Sequence, residues 1–176
     1  MSISFEVNES DILDDLKIIN PSIYSEKRGK IWTSYHSEFL SSLLPNNLSF
    51  KHDKFSQSKK NVLRGIHGDK KSWKIVSCIQ GSIMQVVVDM RKSSRTYLKW
   101  QSFELGDSCQ SSIIIPPGMG NAFFVKSDIA TYHYKLAYNG DYIDAEDQFT
   151  VAWNDARLDI KWPNMAPILS ERDKGL

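Results

Sequence analysis

From Leu48 onward, short apolar and β-branched runs are cut at close intervals by clusters of Gly, Pro, Asn, Asp and Ser. Punctuation of that density leaves no room for long helices. Runs of about five to eight residues between turn signals are the pattern of an antiparallel sandwich or barrel. Residues 74–79 and 83–90 flank Gln80-Gly81-Ser82, a hairpin turn. The run Ile113-Ile114-Ile115 reads as a buried strand closed by Pro116-Pro117-Gly118, and residues 122–125 open the next. In residues 130–138, alternation places Tyr132, Tyr134 and Leu136 on one face and His133 and Lys135 on the other. One stretch departs from this period: Phe39, Leu40, Leu43 and Leu44 share a helical face, with Ser37 as N-cap and Pro45 as stop. The expected fold is all-β with one short helix. A chain of 176 residues suits a single domain spanning 1–176.

The stretch NVLRGIHGDKKSWK, residues 61–74, carries the densest chemistry. Val62, Leu63 and Ile66 favour extended backbone, while Gly65 weakens a regular strand and marks a bulge or a close approach. Three apart on a regular strand, Arg64 and His67 point to opposite faces. A one-residue bulge at Gly65 returns both to one face, where an anion-binding guanidinium and a titratable imidazole line the same concavity. The bland alternative for this stretch alone is a surface Arg and a packed His beside a bend in the sheet.

Composition narrows the partners. Twenty-two Lys plus Arg against 21 Asp plus Glu leave a formal charge of +1, so no global field draws nucleic acid or a membrane surface. Cys78 and Cys109 lack the spacing of a metal site or disulfide framework and read as small buried hydrophobes. The N-terminal MSISFEVNESDILDD lacks a basic region followed by an apolar run, and no segment approaches the ~20 apolar residues of a membrane span. A cytoplasmic location is the expectation. Four His, at 36, 52, 67 and 133, supply too few ligands for the His-and-carboxylate metal sites common in compact β-barrels, so no metal is expected. General acid–base chemistry fits better: a His on the central strand, a Tyr on another, and Lys74 to stabilise an oxyanion. Arg64 and Arg28 suit bidentate pairing with a diphosphate.

Seven motifs in order carry a resemblance: Arg28-Gly29, Leu63-Arg64-Gly65-Ile66-His67, Val88-Asp89-Met90-Arg91-Lys92, Ile115-Pro116-Pro117-Gly118, Tyr134-Lys135, Trp153-Asn154-Asp155 and the run from Pro167 to Asp173. Together they resemble the nucleotide-sugar 3,5-epimerases typified by dTDP-4-dehydrorhamnose 3,5-epimerase. The resemblance implies a cupin-like antiparallel jelly roll, a homodimer, and metal-free, cofactor-free action on 4-keto-6-deoxy sugars. Residue by residue it implies His67 as base, Tyr134 as proton donor, Asp173 as the carboxylate holding the His, and Lys74 beside the C4 oxygen. Arg28 and Arg64 match substrate-binding arginines. Thr33, Asn121, Tyr132, Lys54 and Asp53 complete the expected substrate-binding set. The segment 2–18 is the candidate for adding to a partner's sheet edge.

The chain also departs from the rhamnose-type pattern, with Asn121 in place of His, Thr33 in place of Glu, and Gly68-Asp69 in place of Tyr-Gln. Its His67-Gly68-Asp69 and the stretch 138–149 look closer to enzymes of GDP-4-keto-6-deoxy-heptoses for capsular polysaccharide. That is the first expectation for the substrate, with room left for a heptose tail by a smaller residue. The alternatives are a dTDP-4-keto-6-deoxyhexose 3,5-epimerase and, from another class, a noncatalytic sugar-binding cupin.

Overall fold

The computed structural model describes residues 3–45, 48–142 and 144–174. In chain order the elements are β1 Phe5–Glu9, β2 Lys17–Pro21, β3 Ile23–Glu26, β4 Gly29–Trp32, α1 Ser37–Ser42, β5 Phe50–Lys59, β6 Leu63–Asp69 and β7 Trp73–Gln80. There follow β8 Ser82–Asp89, β9 Trp100–Gly106, β10 Ser112–Ile115, β11 Met119–Val125, β12 Ile129–Ala137, α2 Asp144–Asp147, β13 Gln148–Thr150 and α3 Glu171–Lys174. A six-stranded sheet, ordered β1-β2-β10-β7-β12-β5, faces a five-stranded sheet, ordered β13-β6-β11-β8-β9, and β3-β4 forms a separate hairpin. This is the cupin-like antiparallel jelly roll, open rather than closed into a barrel. Two one-turn helices, α2 and α3, join the single helix that periodicity predicts. Each is too short to leave a 3.6-residue pattern. The N-cap of α1 is His36, whose Nδ1 accepts from the Phe39 amide, rather than Ser37.

Strand alternation divides the apolar residues into three layers. Val76, Ile83, Val87, Ile113, Ile115, Phe123 and Tyr132 fill the space between the sheets. The outward residues of the five-stranded sheet, among them Leu63, Ile66, Val86, Val88 and Phe124, are covered by Leu158, Ile160 and Trp162 of the C-terminal segment. On the outside of the other sheet, Ile19, Ile75 and Ile114 pack under Leu40 of α1. Because residues 74–78 of β7 and 83–89 of β8 are buried on both faces, apolar residues there do not follow strict alternation. The C-terminal cover is tied down where Ile168 pairs with the start of β6: the Leu63 amide donates to the Ile168 carbonyl at 3.0 Å, and Ile168 returns a bond to Asn61 at 2.8 Å. That junction carries α3 to the edge of the inter-sheet space.

Asp89, at the end of β8, is fully buried and anchors the loop that follows. Its carboxylate accepts from Arg91, Ser94 and Thr96, and Arg91 continues to Asp15. Burial pushes the carboxyl up, but the donors of Arg91, Ser94 and Thr96 outweigh it and bring its pKa down to about 2. The folded value lies below the unfolded one, so the group's stabilisation is complete above pH ~4 and is lost as pH falls through about 2. Asp89→Asn is expected to cost about 3 kcal/mol in urea unfolding at pH 7. The gap to wild type should shrink steadily as pH falls from ~4 toward 2; a gap that widens in acid would contradict this account.

Candidate active site

The bulge required by Gly65 is present. Opposite β6, His67 pairs with Asn121 and Arg64 with Phe123, so three steps along β6 match two along β11. Gly65 takes φ +124°, and a Cβ there would lie 2.5 Å from the Ala122 Cβ, which leaves glycine as the residue that fits. Arg64 and His67 consequently line one cavity between the sheets.

His67 is held on both nitrogens. Nε2 lies 2.8 Å from Asp173 Oδ1, and Nδ1 lies 3.1 Å from the Thr150 hydroxyl on the neighbouring strand β13. Asp173 is buried at the third position of α3, held by the serine before the helix: its amide donates to Ser170 Oγ at 3.2 Å, and the Ser170 hydroxyl donates to Oδ2 at 2.7 Å. Burial pushes the Asp173 carboxyl up. Hydrogen bonding from His67 and Ser170, with the charges of His67 and Arg172, outweighs burial and holds it below the usual range. An ionised carboxylate only accepts, so Nε2 carries the ring proton. Arg172 donates to the Thr150 oxygen from Nε at 3.1 Å and Nη2 at 2.9 Å, which turns the Thr150 proton toward His67. The imidazole lone pair is therefore on Nδ1, facing the Thr150 hydroxyl.

The other charged groups sit around this pair. Lys74 is buried on β7 and lines the cavity with its ammonium 2.7 Å from Asp69 Oδ2. Asp69 in turn closes the turn to β7, accepting from the Lys71 and Ser72 amides and the Ser72 hydroxyl. Burial raises the Asp69 carboxyl, but Lys74 and Ser72 more than compensate and lower it. Lys74 keeps two further N–H donors for an oxygen in the cavity. Tyr134, on β12 beside β7 and in the sheet opposite His67, also lines the cavity. Burial, the largest influence, raises its phenol above the usual value despite Lys54 and Arg64, so the proton stays on at neutral pH.

Of the eleven residues singled out from sequence, seven line this cavity: His67, Tyr134, Asp173, Lys74, Arg64, Asn121 and Tyr132. Lys54 reaches its rim through an ion pair with Asp144. Three lie elsewhere. Asp53 alternates with Lys54 and so faces outward, where it pairs with His133 at 2.9 Å and Lys135 at 2.6 Å. Thr33 follows β4 and lines a small cleft with Phe5, Leu40 and Ile75. Arg28 sits at the exposed tip of the β3–β4 hairpin, paired with Glu26. Tyr132 is fully buried, its hydroxyl 2.8 Å from Gln85 Oε1 and 3.2 Å from Asn121 Oδ1.

Sequence reasoning missed Thr150, Arg172, Ser170, Gln148, Asp144 and Ser56, all at or touching the cavity. Ser170 and Arg172 stood in the motif from Pro167 to Asp173, and Asp144 and Gln148 in the stretch 138–149, but nothing in their spacing marked them. Among the described residues no group of three or more His, Cys, Asp or Glu converges as a metal site, and no helix is long and apolar enough to cross a membrane.

A jelly roll that sets a carboxylate-held imidazole, a buried lysine and a protonated phenol around one cavity belongs to the class of acid–base enzymes. The dTDP-4-dehydrorhamnose 3,5-epimerase family model matches residues 11–176. The Escherichia coli K12 dTDP-4-dehydrorhamnose 3,5-epimerase is 34% identical over 168 residues, covering 93% of this chain and 89% of that protein. The structure of dTDP-6-deoxy-D-glucose-3,5-epimerase from Legionella pneumophila, in complex with dTDP-4-keto-L-rhamnose, superposes with a TM-score of 0.88 at 32% identity, covering 98% and 91% of the two chains. NovW of Streptomyces spheroides, a 4-keto-6-deoxy sugar epimerase, gives 0.87 at 30% identity, covering 97% and 85%. The chain belongs to the dTDP-4-dehydrorhamnose 3,5-epimerase family and is an isomerase.

Proposed function

We propose that this enzyme inverts C3, C5 or both in a dTDP-linked 4-keto-6-deoxyhexose. The observation that carries the reading is the single cavity shared by the His67–Asp173 pair, Lys74 and Tyr134. The His67 imidazole removes the proton on the carbon beside the ketone, and the electron pair moves onto the C4 oxygen as an enolate. Lys74 stabilises that oxygen. Tyr134 returns a proton to the opposite face of the carbon, which inverts it, while the Asp173 carboxylate balances the imidazolium. The cavity holds about 260 Å³. That is below the ~300–1,000 Å³ of common ligand clefts, so it suits the sugar, with the nucleotide lying beyond the mouth near Arg64 and Lys54.

The GDP-heptose expectation loses its footing. The relatives described above include dTDP-sugar enzymes and none for a GDP-heptose. The Gly68-Asp69 pair adds no space to the cavity, since a Cβ on Gly68 would meet the Met119 carbonyl and the Phe149 ring, and Asp69 serves Lys74. Incubation in D2O with a panel of dTDP- and GDP-linked 4-keto-6-deoxy sugars is the test. Deuterium should enter the dTDP-hexose fastest. Faster uptake by the GDP-heptose would overturn the nucleotide assignment, and uptake by none would favour the sugar-binding alternative.

We also infer a homodimer. The β3–β4 hairpin exposes Ile23, Tyr24 and Ile31, and the nearby sheet exposes Phe55 and Ile79, apolar surface that a second copy would cover. Arg28, outside its own chain's cavity, then serves a neighbouring copy. The segment 2–18 begins at Ser2, outside the described residues, but β1 within it is an edge strand with one side open. Light scattering at micromolar concentration should give twice the 20.2 kDa chain mass; a monomer mass would refute the dimer.

A further inference from the structure

Gln85 is a lone polar residue in the apolar run from Ile83 to Val88, and it points into the inter-sheet core with no exposed surface. All the working ends of its amide are engaged. Oε1 accepts from the Tyr132 hydroxyl at 2.8 Å, while Nε2 donates to the Val86 carbonyl at 3.0 Å and to Asn121 Oδ1 at 2.6 Å. The Val86 carbonyl can only accept, so a flipped Gln85 amide would set two oxygens against each other. The backbone thereby fixes the polarity of Gln85. Asn121 must then turn its oxygen toward Gln85, whose Nε2 donates to it at 2.6 Å. The Asn121 NH2 is left without a protein acceptor among the described residues, on a side chain that lines the cavity across from His67. Between Ile83, Val87 and Phe123 a Leu or Met would pack without needing hydrogen bonds, so packing gives no reason for an amide here.

We infer that Gln85 is a positioning residue that locks Asn121 with its NH2 toward the cavity, making it a fixed hydrogen-bond donor to an oxygen of the bound sugar. An amide does not titrate, so the donor is present at every working pH. Lys74 supplies the charged partner for the enolate, which leaves the neutral Asn121 to read a sugar oxygen already present in the ground state. That sugar is the one assigned under the epimerase reading; the lock itself does not depend on it.

The lock is tested first without substrate. In ¹⁵N-labelled protein assigned through bonds, the Gln85 side-chain NH2 should exchange slowly with solvent and the Asn121 NH2 fast. The reverse order overturns the lock whatever the sugar is. Kinetics with a dTDP-4-keto-6-deoxyhexose then test its use. Gln85→Met should raise KM about 10-fold, the worth of one hydrogen bond, and change kcat by less than about threefold, with dTDP binding unaltered. Asn121→Asp should behave alike, and Gln85→Met should add nothing in the Asn121→Asp background. Independent, multiplying effects, or an unchanged KM in Gln85→Met, would sink the inference. If wild type fails to turn over this sugar, the substrate assignment falls and the exchange order still decides the lock.

Discussion

His67→Asn is expected to lower both deuterium uptake and inversion by ~100- to ~10,000-fold, the range over which general-base catalysis acts. Asparagine roughly keeps the size and polarity of the site, and its amide can still donate to Asp173. It has no lone pair basic enough to take a carbon-bound proton. Arg64, Lys74 and Asn121 are untouched by the change, so substrate binding should suffer far less than turnover. The measurement is kcat for both processes together with the dissociation constant for the nucleotide sugar. A large loss of binding with little loss of kcat would make His67 a substrate contact instead of the base.

Tyr134→Phe is expected to separate the two processes that His67→Asn abolishes together. The substitution keeps the ring and removes only the hydroxyl. His67 and Lys74 remain, so the enolate still forms and solvent deuterium still enters from the His67 face. Return of a proton to the opposite face loses its donor, and inversion should fall ~100-fold or more relative to exchange. In the wild type, burial keeps the Tyr134 phenol protonated beyond its ordinary range, so donation should be lost only in strongly alkaline solution. Inversion that persists at the wild-type rate in Tyr134→Phe would assign the proton to water or another group.

The sequence made an antiparallel sandwich or barrel and part of the acid–base core legible for reasons that are local, while the jelly roll itself came from the family resemblance. Alternation in β12 put Tyr134 on the inner face, and Gly65 announced the bulge that unites Arg64 with His67. The pairing of His67 with Asp173 came from the family resemblance, because only the docking of Ile168 beside β6 brings those distant positions together. Asp53 was misplaced although its parity with Lys54 was readable: one of two adjacent strand residues must face outward. Thr33 and Arg28 lie on or beside a hairpin whose position no periodicity encodes. Thr150 and Arg172 escaped notice since each looks like an ordinary polar residue until β13 and α3 converge on His67. Gln85 did leave a signal, a solitary amide within Ile83–Val88, and that interruption is what a buried polar network looks like in sequence.

The central claim is that one base and one acid work from opposite faces of the same carbon. It is tested most directly by following deuterium uptake and inversion side by side in D2O for wild type, His67→Asn and Tyr134→Phe, by mass spectrometry and NMR on the same samples. The account predicts that His67→Asn loses both and that Tyr134→Phe keeps uptake while losing inversion. Near-normal uptake by His67→Asn, or equal slowing of uptake and inversion in Tyr134→Phe, would contradict it.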